Sequence, residues 1–225
     1  MNLAIVGTGR MGRAVEEAAA GRGHRVLARL GRGDDLASAV AADVAIEFTR
    51  PDQAERNVTA LVEMGIPTVC GTTGWSPAGA ESRADARGVP LLVAPNFSIG
   101  MAVLRALASL AAQRLAPFPG FEPGVFERHH SQKADSPSGS AKLLARAIAD
   151  GSGRDQVPIA ALRQGSQPGE HTVHFEGESE ELLLTHRVRS RAVFATGAIA
   201  AAEWIVRARP SGAVRFEDFL ERSRA

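Results

Sequence analysis

Apolar and polar positions follow two different rhythms along this chain. Over the first hundred residues, short apolar runs alternate with longer amphipathic stretches. Residues 3–6, 25–28, 44–48, 67–70 and 90–93 read as strands, and the later ones are short enough to be fully buried. A helix runs from a glycine-rich turn after Val6 to about Ala20, and a second starts at Pro51 and ends at Gly65. Strands alternating with helices predict a parallel, doubly wound sheet.

After Asn96 the rhythm changes. Ile99 to Leu115 is one long helical run, followed by a proline- and glycine-rich segment, a strand over 124–128 and a helix starting near Pro137. Three strand-like segments follow at 159–162, 171–175 and 182–188, and the polar stretch 150–170 otherwise reads mostly as loop. Residues 194–206 are helical again. The predicted fold class is α/β: an N-terminal Rossmann-like doubly wound parallel sheet plus a central α+β domain. Residues 1–98 with 194–225 form the first domain in this reading, and 99–193 the second.

Composition narrows the class of function. A chain of 225 residues with 44% hydrophobic and 23% charged residues is ordinary for a soluble globular protein. It is long enough to fold without disulfides or a structural metal. A net charge of +1 gives no electrostatic case for nucleic acid or for an anionic membrane. The single cysteine, Cys70, excludes an internal disulfide framework and reads as a buried, inert thiol in a reducing compartment. The first strand is preceded by no charged and apolar leader. The late apolar stretch 192–206 contains Glu203 and falls short of a membrane span. A cytoplasmic location is expected.

The candidate chemistry lies in two places. Gly7-Thr8-Gly9-Arg10-Met11-Gly12 fits G-x-G-x-x-G between a strand and a helix, the context in which that pattern binds a dinucleotide pyrophosphate. A tight strand–helix turn without a ligand is the plain alternative. The acidic residue that usually holds the adenosine ribose at the end of the second strand is absent. Arg29 and Arg32 stand there instead, which suits a 2′-phosphate, so NADPH is expected to serve at least as well as NADH.

The second place is Glu127-Arg128-His129-His130-Ser131-Gln132-Lys133-Ala134-Asp135-Ser136-Pro137-Ser138-Gly139-Ser140. Imidazoles titrate near neutrality and can donate or accept a proton at working pH. Ser136 reads as a helix cap with Pro137 in the first helical position, which leaves the N–H groups of Ser138, Gly139 and Ser140 for an anion. Lys133 adds a positive charge and opposes a metal ion, so no metal is expected. A capped surface helix after a polar loop is the plain alternative. Proton donor, cation and carboxylate cradle beside a hydride donor describe a reductase of a polar unsaturated acid.

Glu127-x-His129-His130-x-x-Lys133-x-Asp135-x-Pro137-Ser138-Gly139-Ser140-Ala141 resembles the signature of the dihydrodipicolinate (4-hydroxy-tetrahydrodipicolinate) reductase family. Glu47-Phe48-Thr49-Arg50-Pro51, Gly71-Thr72-Thr73-Gly74, Ala94-Pro95-Asn96-Phe97-Ser98, Gly169-Glu170-His171-Thr172, Thr185-His186-Arg187 and Ser190-Arg191 extend the resemblance over nearly the whole chain. The resemblance implies an NAD(P)H-dependent reduction in lysine and diaminopimelate biosynthesis by a homotetramer, or a dimer. It implies that Gly71, Thr72, Thr73, Ala94, Pro95, Asn96 and Phe97 line the nicotinamide pocket. It gives His129 and Lys133 the proton-handling roles and makes His130, Ser138, Gly139 and Ser140 carboxylate contacts. Ser140 stands where the family often has threonine, and the region 153–163 is shorter than usual. His171 and His186 match family positions but fit a core role equally well. Two rival readings are another two-domain Rossmann oxidoreductase and a nucleotide-sensing protein without turnover.

Overall fold

The computed structural model describes residues 1–222. The chain divides into two compact units, Met1–Phe97 with the segment from Ala192 onward, and Ser98–Arg191.

The first unit contains strands β1 (Asn2–Val6), β2 (Arg25–Leu30), β3 (Val44–Glu47), β4 (Thr68–Cys70), β5 (Leu91–Val93) and β10 (Ala213–Val214). They form one parallel sheet in the order β10-β5-β4-β3-β1-β2. Parallel sheets are covered on both faces, so their central strands are apolar throughout. Leu3, Ala4, Ile5 and Val6 are accordingly all buried, as are Val44, Ala45 and Ile46. At the sheet edge β2 alternates instead, with Arg25, Leu27 and Arg29 exposed and Ala28 and Leu30 buried.

Helices α1 (Arg10–Gly21) and α6 (Ala192–Ala208) pack together on the face that receives Ile5, while α2 (Pro51–Glu63) and α3 (Ala78–Arg87) pack together on the other. α6 is buried almost all round, from Ala195 to Ile205, as a helix inside a domain must be. Gly197 permits this, because a Cβ there would stand 1.8 Å from the Phe97 carbonyl oxygen. A 3₁₀ turn at Leu36–Ala39 and helix α7 (Phe216–Arg222) complete the unit.

The second unit holds α4 (Ile99–Leu115), β6 (Glu122–His129), α5 (Gly139–Ser152), β7 (Ile159–Arg163), β8 (Gly169–Glu176) and β9 (Glu181–Val188). The sheet order is β7-β6-β8-β9, with β7 parallel to β6 and the other pairs antiparallel. Its inner face, including Val125, Val173 and Phe175, packs with Leu104, Ala108, Leu144 and Ile148 of α4 and α5. Its outer face carries Phe126, Leu162 and Leu183, each at least 40% exposed.

Three expectations change here. The segment 150–170, expected to be mostly loop, carries the end of α5, a strand one residue longer than predicted and the start of β8. Helix α5 begins at Gly139, with Ser138 rather than Ser136 as its cap. Ser138 is extended (φ −66°, ψ 157°) and its Oγ accepts the Ala141 N–H, which is the geometry a cap requires. Helix α3 has no counterpart in the apolar pattern, because among its ten residues only Ala80 and Ala84 are buried. Among the described residues no helix is long and apolar enough to cross a membrane.

Candidate active site

In the first unit the parallel sheet places four loops along one edge, at the carboxyl ends of β1, β3, β4 and β5. The strand order reverses around β1, with β2 on one side and β3 on the other, which is where open α/β sheets bind ligands. The glycine turn leaves β1 at that point, and each glycine answers a different steric demand. Gly7 has φ +115°, and a Cβ there would stand 2.1 Å from the Phe48 carbonyl oxygen. At Gly12 a Cβ would meet the Gly7 carbonyl oxygen at 1.8 Å, so α1 seats closely on the turn only with glycine. Gly9 caps α1 and has open space where a Cβ would be. The first N–H groups of a helix have no partner within it, so those of Arg10, Met11 and Gly12 begin α1 as an anion site that backbone alone approaches. This is the shape a pyrophosphate needs.

Thr8 lies beside Gly31 in the loop after β2. Of the two arginines expected near a 2′-phosphate, Arg29 is committed elsewhere: its Nε donates to Glu16 Oε1 of α1 at 2.8 Å, and Nη2 pairs with the same oxygen. Arg32 is exposed in the loop after β2, next to Gly31. Gly71 after β4 lies against Phe48, whose ring a Cβ would strike at 2.0 Å. Thr72 is buried and its Oγ1 accepts the Thr49 N–H at 2.8 Å, while Thr73 is exposed. Ala94 is buried, Pro95 exposed and Asn96 half-buried. Phe97 does not line a pocket with its ring. The side chain is 1% exposed and packs edge-on against Phe48 and Phe216, so only its backbone can face a ligand. Beneath these loops Glu47 is fully buried and accepts from Cys70 Sγ at 3.1 Å and from the Thr49 hydroxyl. Burial, and then the Glu47 charge, push the Cys70 thiol far above its ordinary range, so this thiol is inert.

In the second unit one carboxylate organises the candidate chemistry. Glu127 and His129 lie two apart on β6 and therefore point to the same, inner face. Glu127 is fully buried; its Oε1 accepts from the Ser138 N–H at 2.8 Å and from Arg163 Nη2 at 2.8 Å. Its Oε2 is 3.0 Å from His129 Nδ1 and 3.6 Å from His171 Nε2. The two imidazoles meet edge to face, their centroids 5.1 Å apart. β6 ends at His129, so His130 leaves in another direction, where its Nε2 accepts from Arg191 Nη2 at 3.0 Å. Lys133, a quarter exposed, pairs with Asp135 at 2.6 Å.

The electrostatics follow from these neighbours. Burial alone would raise the Glu127 carboxyl, but hydrogen bonds from Ser138 and Arg163 and the proximity of His129 outweigh it and hold it below the usual range. Burial pushes His129 below the ordinary imidazole range; Glu127 opposes this, and Lys133 and Arg163 add to it. His171 falls furthest, to about 4, through burial and then the nearby His129. The unfolded chain therefore binds more protons than the folded one between about pH 6.5 and 4, and stability is lost as pH falls through that window. For His171 this amounts to about 3 kcal/mol at 1.36 kcal/mol per unit. In denaturant titrations from pH 7.5 to 4, wild type should lose about that much more stability than His171→Gln. Parallel curves would refute it.

Glu127, His129 and His171 also form a group whose donor atoms lie within 4.8 Å of one another, close enough in principle for a metal ion. Arg163 already neutralises the carboxylate, and Lys133 and Arg163 place a positive field on His129. The chemistry of the surroundings thus suits a proton better than a divalent cation.

The expected anion cradle is only partly present. The Ser138 N–H is taken by Glu127 and the Gly139 backbone bonds the Asp135 carboxylate, so what Gly139 offers is open space at its Cβ position. Of the residues that converge here, sequence reasoning gives no role to Glu127 and Arg163 and leaves His171 open between a core and a site role. The i, i+2 spacing of Glu127 and His129 was a usable signal for the first. The other two come from β7 and β8, where Arg163 pairs with His129 and His171 with Glu127 in sheet register.

Known proteins resemble this chain along its whole length. The family description "Dihydrodipicolinate reductase, N-terminus" matches residues 1–97, and "Dihydrodipicolinate reductase, C-terminus" matches 100–220. The chain is 36% identical to a 4-hydroxy-tetrahydrodipicolinate reductase of Christiangramia forsetii, covering 91% of this chain and 92% of that protein. It is 34% identical to one of Archaeoglobus fulgidus, over 98% of this chain and 100% of that one. The fold is similar to a solved dipicolinate-bound dihydrodipicolinate reductase from Paenisporosarcina sp. TG-14, at TM-score 0.81 and 24% identity, covering 96% and 97% of the two chains. With both halves matched and relatives this similar along their length, the chain belongs to the dihydrodipicolinate reductase family.

Proposed function

We propose that this protein reduces 4-hydroxy-tetrahydrodipicolinate to tetrahydrodipicolinate with NAD(P)H, releasing water, in the diaminopimelate and lysine pathway. The observation that carries the reading is the buried Glu127–His129 pair beside Lys133 and the start of α5. A sensor without turnover has no need of a buried acid–base pair of this kind.

The open Gly9 and the tight Gly7 and Gly12 support a nicotinamide dinucleotide site in the first unit. Arg10, Met11 and Gly12 would meet the pyrophosphate with backbone N–H groups, Thr8 and Arg32 would face the adenosine end, and Gly71, Thr72, Thr73, Ala94, Pro95, Asn96 and Phe97 the nicotinamide. Bound in reduced form, the cofactor supplies the hydride. His129, with Nδ1 turned to Glu127, has Nε2 to give or take a proton. Lys133 supplies a second proton or a cation for the substrate, exchanging its partner Asp135 for it. His130, Gly139 and Ser140 hold the ring carboxylates, and Ser138 orients them as the cap of α5. The overall balance is substrate, NAD(P)H and one proton going to product, NAD(P)⁺ and water.

Oxidation of NADPH should be seen with substrate freshly made from pyruvate and aspartate semialdehyde. Absence of turnover with NADPH still bound would replace this reading by the sensor. In the same assay NADPH should serve at least as well as NADH, because Arg32 stands where an acid would favour the free ribose. A KM for NADH tenfold below that for NADPH is the contrary result. The outer sheet face, with Phe126, Leu162 and Leu183 exposed, supports assembly with further copies of this chain as a homotetramer or dimer. A cytoplasmic location belongs to the same reading.

A further inference from the structure

We propose that Glu127 is a positioning residue that sets the tautomer of His129 and, through the same carboxylate, fixes the start of α5. The inference rests on the reading of His129 as the proton-handling group and extends it to a residue that touches no substrate.

Glu127 is fully buried, and a buried carboxylate carries a desolvation cost that its partners must offset. Glu127 sits on the inner face of β6, where an apolar residue would pack without that cost. Each of its oxygens has a separate task. Oε1 ties the Ser138 N–H to Arg163 of β7, so the cap of α5 and the neighbouring strand share one anchor. Oε2 faces His129 Nδ1 at 3.0 Å, off the line of a good hydrogen bond. Both of those atoms are buried and otherwise without a hydrogen-bond partner among the described residues. A carboxylate oxygen can only accept, so this contact is satisfied by a proton on His129 Nδ1; the other nitrogen near Oε2, His171 Nε2, is farther away at 3.6 Å. With the proton on Nδ1, Nε2 carries the lone pair.

The surroundings hold that choice. His171 packs edge-on against the His129 ring, with centroids 5.1 Å apart. Gly169 lies on the Nε2 side, where a Cβ would be 3.1 Å from that nitrogen and would crowd the reacting edge. The charged and titratable groups facing His129 are Glu127 of β6, Arg163 of β7, His171 of β8, and Lys133 and Asp135 of the following loop. Among these only Glu127 both stabilises the charged ring and lies at its Nδ1 edge.

Glu127→Gln keeps the shape and removes the charge. It should lower kcat about 10- to 100-fold, leave KM within about threefold, and move the acid limb of the kcat/KM profile to lower pH. In a His129→Gln background the same substitution should change kcat less than threefold, because a residue acting through His129 has nothing left to act on. A purely structural Glu127 would lower the melting temperature, leave the acid limb in place and act equally in both backgrounds; that result overturns the proposal. If His129→Gln itself turns over like wild type, the functional reading fails first, and the two failures are distinguished. Should Glu127→Gln not fold, ¹⁵N-histidine NMR of the wild-type protein decides instead. A resting His129 protonated on Nδ1 is expected, and one protonated on Nε2 refutes the proposal.

Discussion

His129→Gln is expected to lower kcat by roughly 10²–10⁴-fold, with KM for the substrate changed by no more than a few fold. Glutamine occupies similar space and can still face Glu127 with its amide, but it cannot exchange a proton near neutral pH. The buried surroundings also argue that the defect will be chemical. His129 is 7% exposed and borders Gly169, His171 and Glu127, so the side chain is held by packing on three sides and a similar one should fit. Loss in the rate term with binding preserved is the signature of an interaction made only as the reaction proceeds. A variant with normal kcat, or one impaired in KM alone, would remove His129 from the proton-transfer role and leave it as a binding residue.

The second large effect is steric and belongs to the first unit. Gly12→Ala places a methyl group 1.8 Å from the Gly7 carbonyl oxygen, which is backbone and cannot turn aside. Helix α1 must lift from the turn, and overpacking of this kind costs about 1–3 kcal/mol. For a chain of this size that is a fall in Tm of roughly 2–12 °C. NADPH binding should weaken at least about tenfold, equivalent to 1.4 kcal/mol, since the N–H groups of α1 no longer converge. Gly9→Ala separates the two consequences. A Cβ at Gly9 meets nothing within 4 Å in the protein, so Tm should hold while NADPH binding weakens through contact with the pyrophosphate. Wild-type affinity in Gly9→Ala would mean that the dinucleotide does not lie against this turn.

Much of the first unit was legible because its signals are local. The apolar runs of β1, β3, β4 and β5 need no knowledge of distant residues to read as buried strands. Ile99–Leu115 was bounded correctly at both ends, since Ser98 is a good cap and the apolar positions repeat with helical spacing. Elements that escaped were those with little local signal. α3 buries two alanines, and β10 is two residues long and exists only because β5 offers an unpaired edge. The cap of α5 was misplaced by two residues for a related reason. Ser136 and Ser138 are equally good caps in isolation, and Glu127, eleven residues earlier, chooses between them by taking the Ser138 N–H.

By itself the sequence determined the α/β class, the glycine turn, and the presence of His129, His130 and Lys133 beside a helix start. Periodicity, turn chemistry and residue type are properties of neighbouring positions, so they can be read along the chain. The tertiary structure decided how those residues are held. Sheet register sets His171 opposite Glu127 and Arg163 beside His129, pairings across more than thirty residues that no local pattern encodes. Packing likewise committed Arg29 to Glu16 and turned the Phe97 ring into the core, which took both side chains out of the roles expected for them. Burial then placed a carboxylate and two imidazoles where water screens them little, and that is what makes an ordinary histidine into a candidate acid–base group.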